Sequence, residues 1–393
     1  MLSKDRARRY DLAGRLADVL SLFSLKNKPS HDLHLDWSAM RRVGVICQWG
    51  LGDAVLVTQL LRALRRMTTA NLELIGKPWL RELFPMHGLC DQVHEVVPPW
   101  TQTQHKYRLW QPIWMRYARQ LTRLRSTSFD LLISLRYDPR EIIQMKMMRA
   151  ELRAGYGACG GQGWLDIDLG INPSLARLTH VAQDASFAAA TLTGLHLDAR
   201  PVLDVPRNIS RSVASWLVAR GYQRGLVLTV APGAGHPIRR WPDQRFTAAI
   251  KDLPDSIGFV VVIKPLEDNL APDILWPRHI PGTIWQGSLE ELQGLLSLSD
   301  ILVSVDSGVM HLGAACGCRI IGICGPQLAQ WFGPYSPSSE VVIVEPMSCR
   351  PCFDNCIFDQ PKCMININES VVRSAVYRAV TQLREPRITR IIN

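Results

Sequence analysis

No stretch of the sequence is apolar for the ~18 consecutive residues that a membrane-crossing helix requires, so no such helix is expected. The first residues lack the unbroken apolar run of a secretory signal, being interrupted by Arg8, Arg9, Asp11, Arg15 and Asp18. Low-complexity and collagen-like patterns are missing, and so is the low hydrophobicity of a disordered chain. The three-glycine dinucleotide fingerprint is incomplete, because Val55 stands where the third glycine would follow Gly50 and Gly52. No nucleic-acid-binding motif appears either.

What is present is the balance of a globular protein: 393 residues, 47% hydrophobic and 20% charged. At ~100–200 residues per domain, two domains with separate cores are expected. The formal charge is +10 and it is local. Residues 1–42 are net +4, residues 101–154 net +7 and residues 373–393 net +4, leaving −5 for the rest. Such charge attracts nucleic acid, an anionic membrane surface or an anionic substrate, and does not by itself choose among them.

Of the ten cysteines, Cys47, Cys90, Cys159, Cys316, Cys318 and Cys324 are scattered, mostly among apolar neighbours. A reduced cysteine there packs as a small core residue, and without an export signal no disulfide framework is expected. The other four, Cys349, Cys352, Cys356 and Cys363, fall within fifteen residues. Four thiols suit a tetrahedral zinc site, but the second pair is not a CxxC, and Pro351 and Pro361 stiffen the loop. A structural metal, a disulfide and free thiols are the alternatives.

Residues 3–25 read as a helix, with Leu12, Leu16, Val19, Leu20 and Phe23 at helical spacing and Lys4, Arg6, Arg8 and Arg9 at its start. Such a segment suits an anionic membrane surface or packing on its own domain. From Arg42 the pattern alternates strand and helix. Val43–Cys47, Asn71–Ile75, Asp91–Val97 and Phe129–Leu135 read as strands, with helices at Asp53–Arg66 and Tyr107–Arg125. After the turn-rich stretch 200–206 a second cycle follows, with strands at Gly225–Ala231, Gly258–Ile263, Ile301–Val305 and Ile320–Cys324. Helices are expected between them at Asp243–Lys251 and Leu289–Ser297. Alternation of this kind implies parallel sheets covered on both faces. The expected fold is therefore α/β: two Rossmann-like, doubly wound domains facing across a cleft, with ligands beyond the carboxyl ends of the strands. The expected boundaries are a basic amphipathic N-terminal extension 1–36, a domain 37–205, a domain 206–372 and a helical tail 373–393, for which packing back on the N-terminal domain is one expectation.

Three strand-end segments carry chemistry. In the first, Gly50 and Gly52 let a substrate approach the backbone closely. Asp53 there is either a functional carboxylate or a helix-capping one. The second is Ala231-Pro-Gly233-Ala-Gly235 followed by Arg239-Arg240-Trp-Pro242, where glycine N–H groups and a guanidinium fork suit phosphate. The third, Asp306-Ser307-Gly308-Val-Met-His311, follows a buried strand and opens a small-residue helix at His311–Gly317. The N–H groups and dipole at such a helix start favour a diphosphate.

In order and spacing, Gly52-Asp53, Pro232-Gly-Ala, Arg240-Trp-Pro242, Asp306-Ser-Gly-x-x-His311 and Gly325-Pro326 resemble the lipopolysaccharide heptosyltransferases, glycosyltransferase family nine. The resemblance runs from about Arg42 to Val372. It implies the GT-B fold, with the acceptor on the N-terminal domain and the sugar nucleotide on the C-terminal one. It also implies inverting transfer of heptose from ADP-heptose, with no metal or other cofactor needed for the chemistry. Position by position, Asp53 resembles the general base, and Arg239 takes the place of a lysine facing the donor phosphates. Glu267 resembles the residue holding the adenosine ribose, and Asp306, Ser307, Gly308 and His311 the diphosphate and heptose contacts, Asp306 suiting sugar hydroxyls or loop orientation. Gly50, Gly52, Gly233 and Arg240 complete the expected binding set.

The expected acceptor is a phosphorylated, lipid-linked core oligosaccharide, met on the cytoplasmic side of a bacterial inner membrane by a peripheral enzyme. The alternatives are transfer to a protein hydroxyl, another sugar-nucleotide enzyme such as an epimerase, and a basic, cysteine-cluster nucleic-acid binder. The last is disfavoured because the basic stretches lie far from the cysteines in sequence.

Overall fold

The computed structural model describes residues 35–101, 111–265, 271–383 and 385–392. It divides into two units, Met1–Ala199 and Arg200–Asn393. The N-terminal helix expected over 3–25, and so nearly all of the extension 1–36, lies outside the described residues.

The first unit holds β1 (Arg42–Cys47), β2 (Asn71–Gly76), β3 (Gln92–Glu95), β4 (Ser128–Ser134), β5 (Arg149–Gly155) and β6 (Ile167–Asp168). They form one parallel sheet in the order β3-β2-β1-β4-β5-β6. Its interior strands read as short apolar runs because both faces are covered. Ile46, Ile75, Phe129 and Leu132 from the strands pack with Leu121, Leu124 and Trp164. The helix after the first strand begins at Leu51, earlier than expected, and is broken at Val57 into Leu51–Leu56 and Thr58–Met67. Residues 102–110 of the expected Tyr107–Arg125 helix are outside the described set; its described part is Pro112–Leu124.

The second unit repeats the plan with β7 (Leu226–Ala231), β8 (Ile257–Ile263), β9 (Gly282–Trp285), β10 (Ile301–Val305), β11 (Arg319–Ile323) and β12 (Ser339–Val342). The order is β12-β11-β10-β7-β8-β9, again all parallel. Every residue of β7 and β10 is buried, with Val230, Val260, Val303 and Ile323 in one core with Trp241 and Phe246. Helix Leu289–Leu298 starts at a capping box: Glu291 N donates to Ser288 Oγ at 3.1 Å, and Ser288 N to Glu291 Oε2 at 2.9 Å. The described part of the tail is anchored at several points of this unit. Arg373 bonds the Ala248 carbonyl and Arg378 pairs with Glu340. Arg387 N donates to Asp300 Oδ1 at 2.8 Å, while its Nη2 donates to the Cys316 carbonyl at 2.7 Å.

Both sheets reverse their winding at the middle. In the first the reversal lies between β1 and β4, in the second between β7 and β10. At such a point the flanking loops leave in opposite directions and open a crevice at the carboxyl ends of the strands. The described sequence-predicted residues follow β1, β7 and β10, the strands at these points.

Candidate active site

In the first unit, Gly50 and Gly52 follow β1, and Asp53 is the third residue of helix Leu51–Leu56. The capping expectation is met in part, since Gly50 N donates to Asp53 Oδ2 at 3.1 Å. The other carboxylate oxygen receives Arg136 Nη1 at 2.5 Å. Arg136 comes off the end of β4, the neighbour of β1, and its guanidinium lies over the Trp49 ring at 4.6 Å. Trp49 is in turn anchored, its indole N–H donating to Glu141 Oε1 at 2.6 Å. The other Glu141 oxygen accepts from Ser134 Oγ at 2.6 Å. Burial, reinforced by the nearby Asp138 carboxylate, pushes the Glu141 carboxyl up to about 7. Burial also lowers the Lys77 ammonium, with the Asp53 carboxylate opposing that shift.

Asp53 is thus the outermost member of a chain running Glu141, Trp49, Arg136, Asp53, its side chain still 38% exposed. The sequence reading named Asp53 and did not name Arg136, Trp49 or Glu141, with which the structure links it. Arg136 had a usable signal: it sits two residues past a buried strand, where an open α/β sheet places its ligand loops. Trp49 and Glu141 had none, because their partnership joins positions 92 apart.

In the second unit, the loop after β7 carries Gly233. A Cβ there would stand 2.8 Å from Pro265 Cβ, so a larger residue would force this loop off the segment after β8. A short helical turn, Pro237–Arg239, follows. Trp241 is buried edge-on against Phe246, ring centroids 4.9 Å apart, which anchors the segment. Arg239 lies between two carboxylates. Its Nε and Nη2 reach Asp354 Oδ1 and Oδ2, both at 2.7 Å, and its Nη1 lies 3.3 Å from Asp306 Oδ2. Arg240, next in sequence, is half-buried.

Asp306 leaves β10 buried, with Ser307 extended after it. The helix begins at Gly308 and ends at Ala315, three residues ahead of the expected start. His311 is therefore in its first turn and buried. Ser307 Oγ is 3.3 Å from Ser304 Oγ. The structure brings Arg239 and Asp306 together at this crevice, with Gly233 at the end of the neighbouring strand β7. Asp53, Gly50 and Gly52 belong to the other unit, and Glu267 lies outside the described residues. Asp354, which holds Arg239, was missed because it lies 115 residues away and in no regular element.

The four clustered cysteines gather around one small cavity of about 10 Å³. All ten cysteines are unpaired thiols. Burial pushes the Cys363 thiol up to about 11 and also raises Cys352. Among the described residues no group of three or more His, Cys, Asp or Glu is spaced to hold a metal ion.

Two parallel sheets of this order, with polar residues at their switch points, define a GT-B fold. Solved structures of that fold superpose over most of the chain. A heptosyltransferase II from Escherichia coli matches with TM-score 0.64 and 18% identity, covering 87% of this chain and 99% of that one. A glycosyltransferase of family 9 from Veillonella parvula matches with TM-score 0.66 and 17% identity, covering 89% and 99%. E. coli heptosyltransferase WaaC, solved with ADP, gives 0.63 and 15%, covering 86% and 99%. In sequence, lipopolysaccharide heptosyltransferase 2 of E. coli K12 is 26% identical over 122 residues, 28% of this chain and 34% of that protein. The Salmonella typhimurium counterpart matches to the same extent. The alignment thus spans about a third of the length of these curated relatives. The sequence profile of glycosyltransferase family 9 (heptosyltransferase) matches residues 118–361. The chain belongs to that family.

Proposed function

We propose that this protein is an inverting glycosyltransferase that moves heptose from ADP-heptose to a hydroxyl of a phosphorylated, lipid-linked core oligosaccharide. The observation that carries this reading is the pairing of site with topology. A carboxylate stands at the switch point of one sheet, and an arginine with a helix N-terminus stands at the switch point of the other.

In this reading Asp53 takes the proton of the acceptor hydroxyl as that oxygen attacks the anomeric carbon. The Arg136 guanidinium competes with the acceptor hydroxyl for Asp53 Oδ1, so this ion pair loosens as the hydroxyl binds. Arg239, Arg240 and the backbone N–H groups at Ser307 and Gly308 receive the charge that builds on the departing diphosphate, the stabilisation a leaving group needs most. His311, buried in the first turn, and Asp306 contact the donor sugar. Glu267 holds the adenosine ribose. No metal is assigned to the chemistry. The family profile begins at residue 118, past Asp53, so the base assignment rests on the strand-end position and on the resemblance around Gly52-Asp53.

The acceptor side carries the charge. Arg116, Arg119 and Arg123 are exposed along one face of helix Pro112–Leu124, whose opposite face buries Tyr117, Gln120, Leu121 and Leu124. A row of guanidinium groups suits lipid phosphates and core phosphates, which supports peripheral binding at the cytoplasmic face of an inner membrane. No helix among the described residues is long and apolar enough to cross a membrane.

The test is incubation with ADP-heptose and a panel of truncated core acceptors, read by mass spectrometry. One added heptose on a core acceptor, with ADP released, supports the reading. A sugar isomerised without transfer, or heptose appearing only on a protein hydroxyl, would replace it.

A further inference from the structure

The segment from Glu345 to Pro361 contains no helix or strand, yet it is fixed at several points. Arg350 Nε donates to the Gly325 carbonyl at 2.6 Å and Cys352 N to the Pro326 carbonyl at 3.1 Å. Gly325 itself has no room for a side chain, since a Cβ would stand 2.3 Å from Met364 Sδ and 3.1 Å from Cys363 Sγ. The four cysteines line one small cavity together with Ile238, Met347 and Phe358, Cys363 buried and the other three half-buried.

At its tip, Phe353 and Asp354 both adopt positive φ, 49° and 66°. Two consecutive non-glycine residues in the left-handed region are sterically unfavourable and persist only where the surroundings impose them. The conformation turns the Asp354 carboxylate onto Arg239, where it takes the Nε edge of the guanidinium in two parallel hydrogen bonds of 2.7 Å. A clamp on that edge leaves the Nη1 end of the fork pointing elsewhere, and here it points towards Asp306 at the start of the small-residue helix.

We propose that Asp354, carried by the cysteine loop, is a positioning residue that orients Arg239 for the diphosphate of a nucleotide donor. The proposal rests on the donor reading above, and it adds a function for the loop. The cysteine-lined segment is the second wall of the nucleotide-binding crevice and acts through a single side chain. A long side chain fixed before the ligand arrives need not be ordered by it, and its lost freedom is not charged against binding.

The experiment is calorimetric titration of the full chain with ADP, comparing wild type, D354N, D354E, R239Q and the D354N/R239Q double variant. Asp354→Asn keeps the shape and loses the charged clamp; it is expected to weaken ADP about three- to tenfold, the cost of ordering one such side chain. Asp354→Glu keeps the carboxylate and is expected to recover part of the loss. In the Arg239→Gln background, Asp354→Asn is expected to change nothing further, which a merely structural role would not produce. Calorimetry returns stoichiometry apart from affinity, so a partly misfolded variant lowers the first and leaves the second readable. Unchanged or tighter ADP binding by D354N overturns the positioning role, as do additive losses in the double variant. Wild-type protein that does not bind ADP instead overturns the donor reading, and the role of Asp354 with it.

Discussion

Glu141→Gln is expected to stabilise the first unit at alkaline pH and to have a much smaller effect near pH 5. Glu141 is fully buried, and its carboxyl sits at about 7 rather than at the 4.5 of an exposed glutamate, burial being the largest cause and Asp138 the next. The unfolded chain ionises this group at the lower value. The protonated carboxyl is therefore no burden below pH 4.5, and stability falls as pH rises from there through 7, after which the penalty is constant. At 1.36 kcal/mol per pKa unit, the loss between pH 5 and pH 8 is roughly 2–3 kcal/mol. Glutamine can keep both hydrogen bonds: its Oε1 accepts from Trp49, and its amide nitrogen donates to Ser134 Oγ, which rotates to accept. The assay is native-state hydrogen exchange of peptides from β1 and β4 at several pH values, since a two-unit chain has no single unfolding free energy. Parallel pH profiles for wild type and E141Q would refute the reasoning.

Three further outcomes are expected. Asp53→Ala should lower transfer by about 10²–10⁴-fold, the usual worth of a general base, while calorimetry gives nearly unchanged ADP-heptose affinity; near-wild-type turnover would remove Asp53 from the role. Ser307→Ala, which removes a hydroxyl beside the diphosphate site, and His311→Ala, which removes a donor-sugar contact, should each weaken donor binding first, by about two- to tenfold for one lost neutral hydrogen bond, and unaltered donor affinity would contradict it. Trp241→Ala, which empties a site 1% exposed beside Phe246, should cost the second unit about 3–5 kcal/mol, read as lost hydrogen-exchange protection in peptides from β7 and β10.

The legible part of the fold was the buried strands. Ile301–Val305 was placed to the residue, because five consecutive apolar or small residues between Asp300 and Asp306 admit little else. β5 and β12 were missed for the opposite reason. Arg149, Glu151 and Arg153 alternate with smaller residues, and β12 is an edge strand of four residues with only Val342 buried, so neither shows the continuous apolar run of a central parallel strand. Helix Glu369–Thr381 was read as part of a basic tail, yet Val372, Ala375, Val376 and Ala379 place one face of it in the core of the second unit. At the candidate site, residues carried by local motifs could be named from the sequence. Those that act through long-range pairing, Arg136 on Asp53 and Asp354 on Arg239, could not, since sequence spacing holds no record of which loops of a sheet end up adjacent.

The two crevices meet the same electrostatic problem in opposite ways. Each presents a charged side chain paired with one of opposite sign. The Asp53–Arg136 pair is about two-fifths exposed on both sides, and ion pairs so well solvated contribute about 0–1 kcal/mol. In the proposed reaction it opens at little cost for the acceptor hydroxyl, with the Trp49 face still beneath Arg136. Arg239 is held differently: it and Asp354 are 26% and 19% exposed and joined by two parallel bonds, a geometry roughly twice as strong as neutral hydrogen bonding. That pair is built to persist, and it leaves the Nη1 end turned towards Asp306. A base has to be released at the moment of reaction, whereas a phosphate-binding group has to be in place beforehand. The difference in exposure and denticity between the two pairs follows that division of labour.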